Sequence, residues 1–157
     1  VPSRRERHYA EIPPRVFVEE HLGTEPGQRI DDYRFYTFGG RFRMIVARIS
    51  TAGAARRPVH TDATWNPVPF YRIARAGETS PKRLDAGAPI PPPKQLPAMI
   101  ATAERLAQGM RFVRVDLYIV EGEVYFGEMT FTPSAAMELW SDPGPETMLA
   151  WFVDAAR

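Results

Sequence analysis

Residues 112–133, F-V-R-V-D-L-Y-I-V-E-G-E-V-Y-F-G-E-M-T-F-T-P, constrain the fold of this chain more than any other stretch. They are rich in Val, Ile, Tyr and Phe and are broken by Glu121-Gly122-Glu123, which predicts a β-hairpin. A two-residue turn would mix polar and apolar side chains on both faces. A three-residue turn separates them. Val113, Val115, Leu117, Ile119, Tyr125, Gly127, Met129 and Phe131 then share a face without charge, and Arg114, Asp116, Glu128 and Thr130 share the other. Register follows the hydrophobic pattern wherever one face is buried, so the three-residue turn is expected. It sets Asp116 opposite Glu128 with Cβ atoms about 5 Å apart, and like charges facing each other destabilise a sheet. A bound divalent cation would offset the repulsion, because hard cations take carboxylate oxygens and share them with phosphates. The alternative is that Arg114 alone neutralises the pair in a structural ion network. We favour the cation.

At 157 residues and 44% apolar content, the chain is expected to form one domain with a real core. A net charge of +1 gives no sign of a nucleic-acid surface. The absence of cysteine excludes disulfides and thiolate metal sites. No apolar run approaches the roughly 18 to 20 residues of a membrane span, and no signal-peptide pattern opens the chain, so a cytoplasmic protein is expected. Val1 stands where an initiator methionine would, which points to a processed product or a fragment. Arg outnumbers Lys eighteen to two, and Lys82 and Lys94 both lie in proline-flanked loops. A lysine that grips phosphate must come from those loops or from outside these residues.

Residues 1–14 are polar, basic and end in Pro13-Pro14, the pattern of a linker or approach segment; residues 15–157 are the domain. R-V-F-V-E-E at 15–20 predicts a buried strand ending in acid. Asp32–Phe38 and Phe42–Ser50 alternate as strands, joined through Gly39-Gly40. Residues 52–93, rich in Gly and Pro, predict an extended loop with a short strand near 70–73. Gln95–Gln108 carries an apolar stripe of Leu96, Met99, Ile100, Ala103, Leu106 and Ala107 and predicts a helix stopped by Gly109. A second short helix is expected over 146–156. With the first helix covering the charge-free hairpin face, the layout is α+β, a largely antiparallel sheet with helices packed on one face.

Other chemistry finds little support. His8, His21 and His60 lack metal-ligand spacing, and His60 reads as a surface-loop residue. No G-x-x-x-x-G-K-[ST], G-x-G-x-x-G or G-x-S-x-G occurs. Tyr33, Phe35, Phe38 and Phe42 alternate along strands as core residues do, rather than as a single-strand RNA platform.

R-V-D-L-Y followed by Y-F-G-E-M-T-F-T-P resembles the end of the ATP-grasp domain, where R-x-D and E-x-N lie on adjacent strands. Together with V-F-V-E-E-H-L, D-D-Y-R-F-Y-T-F-G-G, H-T-D-A-T-W-N and P-P-P-K-Q-L-P-A-M-I-A-T-A-E-R-L-A, the chain resembles the TupA-like ATP-grasp family, named for teichuronopeptide biosynthesis, over residues 7–133. The resemblance implies the C-terminal lobe of an ATP-grasp fold, with ATP and Mg²⁺ as cofactors and a small-molecule or polymer carboxylate as substrate. By the same resemblance Asp116 and Glu128 would hold Mg²⁺, and Arg114 would stabilise the phosphate or the tetrahedral oxyanion. Glu19, Glu20 and Leu22 would form the hinge that meets adenine and ribose. Arg34 stands where the family usually has lysine, and Arg48 and Asp62 match charged positions facing phosphate or substrate. Thr130 replaces the Asn that most ATP-grasp enzymes use as a metal ligand, and its hydroxyl can serve. Ser134-Ala135-Ala136 lacks the glycine expected after T-x-P. The lysine- and glycine-rich flap of an N-terminal lobe is expected to be absent from these residues.

The implied activity is a carboxylate–amine (or carboxylate–thiol) ligase of cell-envelope or exopolysaccharide biosynthesis. Two rivals remain: a catalytically silent fragment acting as an assembly module, and a polysaccharide-biosynthesis transferase that does not use ATP. No sugar-nucleotide motif supports the latter.

Overall fold

A computed structural model describes residues 9–23, 30–49, 57–69, 71–75, 90–136 and 138–141. The expected linker is described only from residue 9 onward, and the expected second helix at 146–156 lies outside the described residues. A five-stranded antiparallel sheet carries the architecture. Its strands are β1 (Asp32–Phe38), β2 (Arg41–Ile49), β3 (Arg57–Thr61), β5 (Phe112–Val120) and β6 (Glu123–Thr130), in the order β3-β2-β1-β5-β6. β4 (Arg72–Arg75) and β7 (Glu138–Trp140) pair separately. Among the described residues one α-helix, α1 (Leu96–Leu106), completes the α+β arrangement.

The apolar stripe of α1 buries Leu96, Met99 and Ala103 against one sheet face. There they meet Tyr33, Phe35, Phe42, Ile45, Ala47, Val113, Val115 and Leu117. Each fully buried aliphatic side chain in such a core contributes about 1.5–3 kcal/mol. Gly109, at φ 76°, ends the helix in the left-handed conformation that suits glycine. Its neighbour Met110 donates its N–H back to the Ala107 carbonyl. The opposite sheet face is divided. One end is an apolar cluster of Tyr36, Met44, Val46 and Val68 under Trp140. The other end is charged.

The hairpin differs from expectation in how it reaches its register. Tip pairs Val120↔Glu123, Ile119↔Val124, Tyr118↔Tyr125 and Leu117↔Phe126 close on a two-residue turn. Glu121 at φ 51° and Gly122 at φ 86° give it the positive angles of a type I′ turn, which matches strand twist. The register then shifts between Asp116 and Leu117, so that Asp116 faces Glu128 and Arg114 faces Thr130. Gly127 is the extra residue. A Cβ there would lie 2.5 Å from Tyr118 Cε2 and 3.1 Å from the Asp116 carbonyl oxygen, so a β-bulge with glycine replaces the three-residue turn. On the tip side of the bulge the faces exchange. Val124 joins the core, and Tyr125 stands opposite Tyr118 instead of on the charge-free face. Phe131 is 39% exposed and touches Tyr9.

Three further expectations are corrected. Residues 15–20 form no strand; Val16, Phe17 and Val18 are 98%, 76% and 95% exposed. V-F-V can be buried as a strand only by pairing, and neither edge strand, β3 nor β6, takes it. The supposed loop over 52–93 contains β3, and its second strand is 72–75 rather than 70–73. Arg57–Thr61 hides because Pro58 breaks its pattern, yet proline is tolerated on an edge strand. His60 is no surface residue: it is 8% exposed and lies edge-on to Trp140.

Candidate functional site

Strand pairing lays the charged side chains out in rows. His60, Val46, Arg34, Asp116 and Glu128 face one another in sequence across β3-β2-β1-β5-β6. The row on one side holds Arg48, Asp32, Tyr118 and Tyr125, and the row on the other holds Met44, Tyr36, Arg114 and Thr130. Alternation along each strand puts Asp32 with Arg34 and Arg114 with Asp116 on the same face. Antiparallel pairing of β1 with β5 then brings D-x-R beside R-x-D.

The result is a chain of alternating charges. Arg114 Nε and Nη2 donate to Asp116 Oδ1 and Oδ2, both at 2.7 Å, in the two-pronged geometry of a guanidinium on a carboxylate. Nη2 also donates to Glu128 Oε1 at 2.6 Å, and Thr130 Oγ1 donates to the same oxygen at 3.0 Å. Asp116 and Glu128 therefore lie within two hydrogen-bond lengths of each other. Arg34 donates to Asp32 Oδ1 and Oδ2 at 3.0 and 3.1 Å, and its Nε is 3.8 Å from Asp116 Oδ2. Exposure grades steeply along this chain. The Asp116 and Arg114 side chains are 5% and 7% exposed, whereas that of Glu128 is 61% exposed.

Burial sets the protonation equilibria. It pushes the Asp116 carboxyl above its ordinary value, against the opposing hydrogen bonds and charges of Arg114 and Arg34. Burial also works against the Arg114 charge, but Asp116, Tyr36 and Glu128 outweigh it and hold the guanidinium proton more firmly than usual. Arg114 is thus a permanent cation at the centre of the cluster.

Of the residues expected at a site, the sheet gathers Arg34, Arg114, Asp116, Glu128 and Thr130, with Arg48 one row away opposite Asp32. Asp62 stands apart. Its Oδ1 accepts from the Thr64 N–H, the Thr64 hydroxyl and the Asn66 N–H, holding the turn after β3. Glu19 and Glu20 are exposed on the irregular segment and Leu22 is half-buried, and among the described residues no hydrogen bond or ion pair ties them to the cluster. Asp32 was not anticipated. Its signal was present in D-Y-R, an acid two residues before a base on an alternating strand.

The oxygens of Glu128, Thr130 and Asp116 are of the type a hard cation takes, and Glu128 is open to solvent. Both Asp116 oxygens are occupied by Arg114, so a cation there must share or displace the guanidinium. Among the described residues, no three His, Cys, Asp or Glu side chains converge as a preformed metal cage. Among them too, no helix is long and apolar enough to cross a membrane. A family model described as TupA-like ATPgrasp matches residues 1–149. No curated protein and no solved structure matches the chain.

Proposed function

The chain belongs to the TupA-like ATPgrasp family, and on that premise we propose that it works as the ATP- and Mg²⁺-dependent part of a carboxylate–amine ligase in cell-envelope or exopolysaccharide biosynthesis. In this reaction class ATP phosphorylates a substrate carboxylate, and an amine displaces phosphate from the acyl phosphate. The observation that carries the reading is the set of Asp116, Glu128 and Thr130 oxygens on one sheet face around a buried Arg114. Mg²⁺ held by Glu128, Thr130 and Asp116 would supply charge neutralisation for the triphosphate. Arg114, fixed by three hydrogen bonds, is preorganised to face developing negative charge without reorganising. Arg34, which is paired with Asp32, and Arg48 are the guanidinium groups on the same face that would turn to phosphate.

With those two as the phosphate donors among the described residues, binding near millimolar, or about −4 kcal/mol, is expected. Calorimetric titration of ATP with and without Mg²⁺ tests the reading. Binding should require Mg²⁺ and vanish in Glu128→Gln. ATP binding indifferent to Mg²⁺, or unaltered in the variant, would sink it. A second reading, an assembly module that binds no nucleotide, is favoured by one observation: Arg114 already satisfies both Asp116 oxygens. It takes over if no ATP binds under either condition.

A further inference from the structure

The helix-facing side of the sheet holds an arginine whose placement the nucleotide reading does not use. β1 and β2 shift register between Tyr36↔Met44 and Thr37↔Phe42, leaving Arg43 as the extra residue of a β-bulge. Bulges re-aim side chains. This one turns Arg43 into a cleft of about 230 Å³ lined also by Phe42, Asp62, Ala63 and Thr64. Arg43 Nε is buried and has no hydrogen-bond partner among the described residues. Thr61, immediately before Asp62, holds the other such orphan among them, its Oγ1. The nearest carboxylate on the helix, Glu104, is engaged elsewhere, accepting from the Phe42 N–H at 3.0 Å. Burial, followed by repulsion from Arg41, makes the Arg43 cation less favourable than an ordinary guanidinium, and Glu104 only partly opposes this. The opposite wall is stiff. Asp62 caps the 62–66 turn, and Trp65 is held at φ 65°, a conformation that costs energy in a residue with a side chain.

We propose that this cleft is a binding site for a small monocarboxylate, with Arg43 as the group that grips the carboxylate. A half-buried guanidinium whose Nε finds no acceptor among the described residues is stabilised by an anion that accepts from its fork. Asp62 in the wall and Glu104 nearby disfavour a dianion, which selects carboxylate over phosphate. The volume suits a molecule of a few heavy atoms. The site lies on the other side of the sheet from Arg114 and Asp116, so it stands or falls independently of nucleotide binding.

Calorimetry at constant ionic strength tests this with sodium lactate and, separately, inorganic phosphate as probes. The wild-type chain should bind lactate saturably and more tightly than phosphate. Arg43→Met should weaken lactate binding about tenfold or more, the loss of a charge-assisted hydrogen bond. Arg43→Lys, which keeps the charge and the fold but lacks the fork, should weaken it by less. Glu128→Gln should leave lactate binding unchanged. The proposal is overturned if the wild type shows no saturable lactate binding, if phosphate binds more tightly, or if neither Arg43 variant alters lactate affinity. Loss of lactate binding in Glu128→Gln would overturn it too, by moving the ion to Arg114.

Discussion

Replacing Asp116 by Asn separates structural from superficial charge in the cluster. Asp116 and Arg114 are both almost fully buried and share two hydrogen bonds of 2.7 Å. Asn keeps the size but removes the charge and turns one acceptor into a donor facing Arg114. The guanidinium is left with Glu128, whose side chain is 61% exposed, as its charged partner within the cluster. Breaking a buried pair by removing one partner costs about 3–5 kcal/mol. Burial already raises the Asp116 pKa, so part of the cost of desolvating the carboxylate is recovered on neutralisation, which favours the lower end, about 3 kcal/mol. Glu128→Gln, by contrast, weakens an exposed pair and should cost no more than about 1 kcal/mol. The double variant Arg114→Met with Asp116→Leu removes both charges together and should fall within about 2 kcal/mol of wild type. Urea unfolding at neutral pH without added Mg²⁺ measures all three. Equal losses for Asp116→Asn and Glu128→Gln would refute the burial gradient as the governing term. A double variant costing the full sum of its parts would refute the pairing itself.

Other expected outcomes follow from local geometry. Gly127→Ala should destabilise by about 1–3 kcal/mol, because its Cβ meets the Tyr118 ring and the Asp116 carbonyl, and amide NMR should show the change centred on Asp116 and Tyr118. Glu121→Asn should stabilise by about 0.5 kcal/mol in urea unfolding, since asparagine tolerates the positive φ that Glu121 adopts. Burial, then the Asp31 charge, raises the Tyr33 pKa from 10.0 to about 12. The unfolded chain therefore releases that proton first, and stability present below pH 10 is lost as the pH climbs towards about 12. Tyr33→Phe should flatten this alkaline loss in pH-dependent unfolding curves, and an unchanged slope would contradict it.

The sequence exposed the elements with long regular stretches of periodicity. β1, β2, α1 and both hairpin strands could be read from alternation and from the stripe Leu96, Met99, Ala103, although bulges at Arg43 and Gly127 interrupt β2 and β6. The pairing of Asp116 with Glu128 was legible too, though for an incomplete reason. Hydrophobic pattern reports which residues share a face but not whether a turn or a bulge brings them there, and Gly127 supplied the second route. β3 was illegible because an edge strand can carry Pro58 and needs no alternation. V-F-V at 16–18 misled in the other direction, since composition shows that a segment favours a strand but not that a partner edge exists for it. At the site, the signs and spacing of Arg114, Asp116 and Glu128 were readable, whereas their exposures were not. Those depend on which end of the sheet face Trp140 and its neighbours cover.

The bulge at Gly127 has a consequence for how this hairpin tolerates change. It divides the ladder into two blocks, a tip of four pairs and a base that holds the charged cluster. The base is anchored by its own neighbours, β1 on one side and the Arg114 bonds on the other. Residues added or deleted between Val120 and Glu123 would lengthen, shorten or fray the tip, while Asp116 and Glu128 stayed face to face. Frame is thus stored locally, beside the residues that need it, and the turn is released to vary. An epitope or fluorophore attachment site inserted at Glu121-Gly122 would sit at the end of a strand pair whose working half does not register its presence.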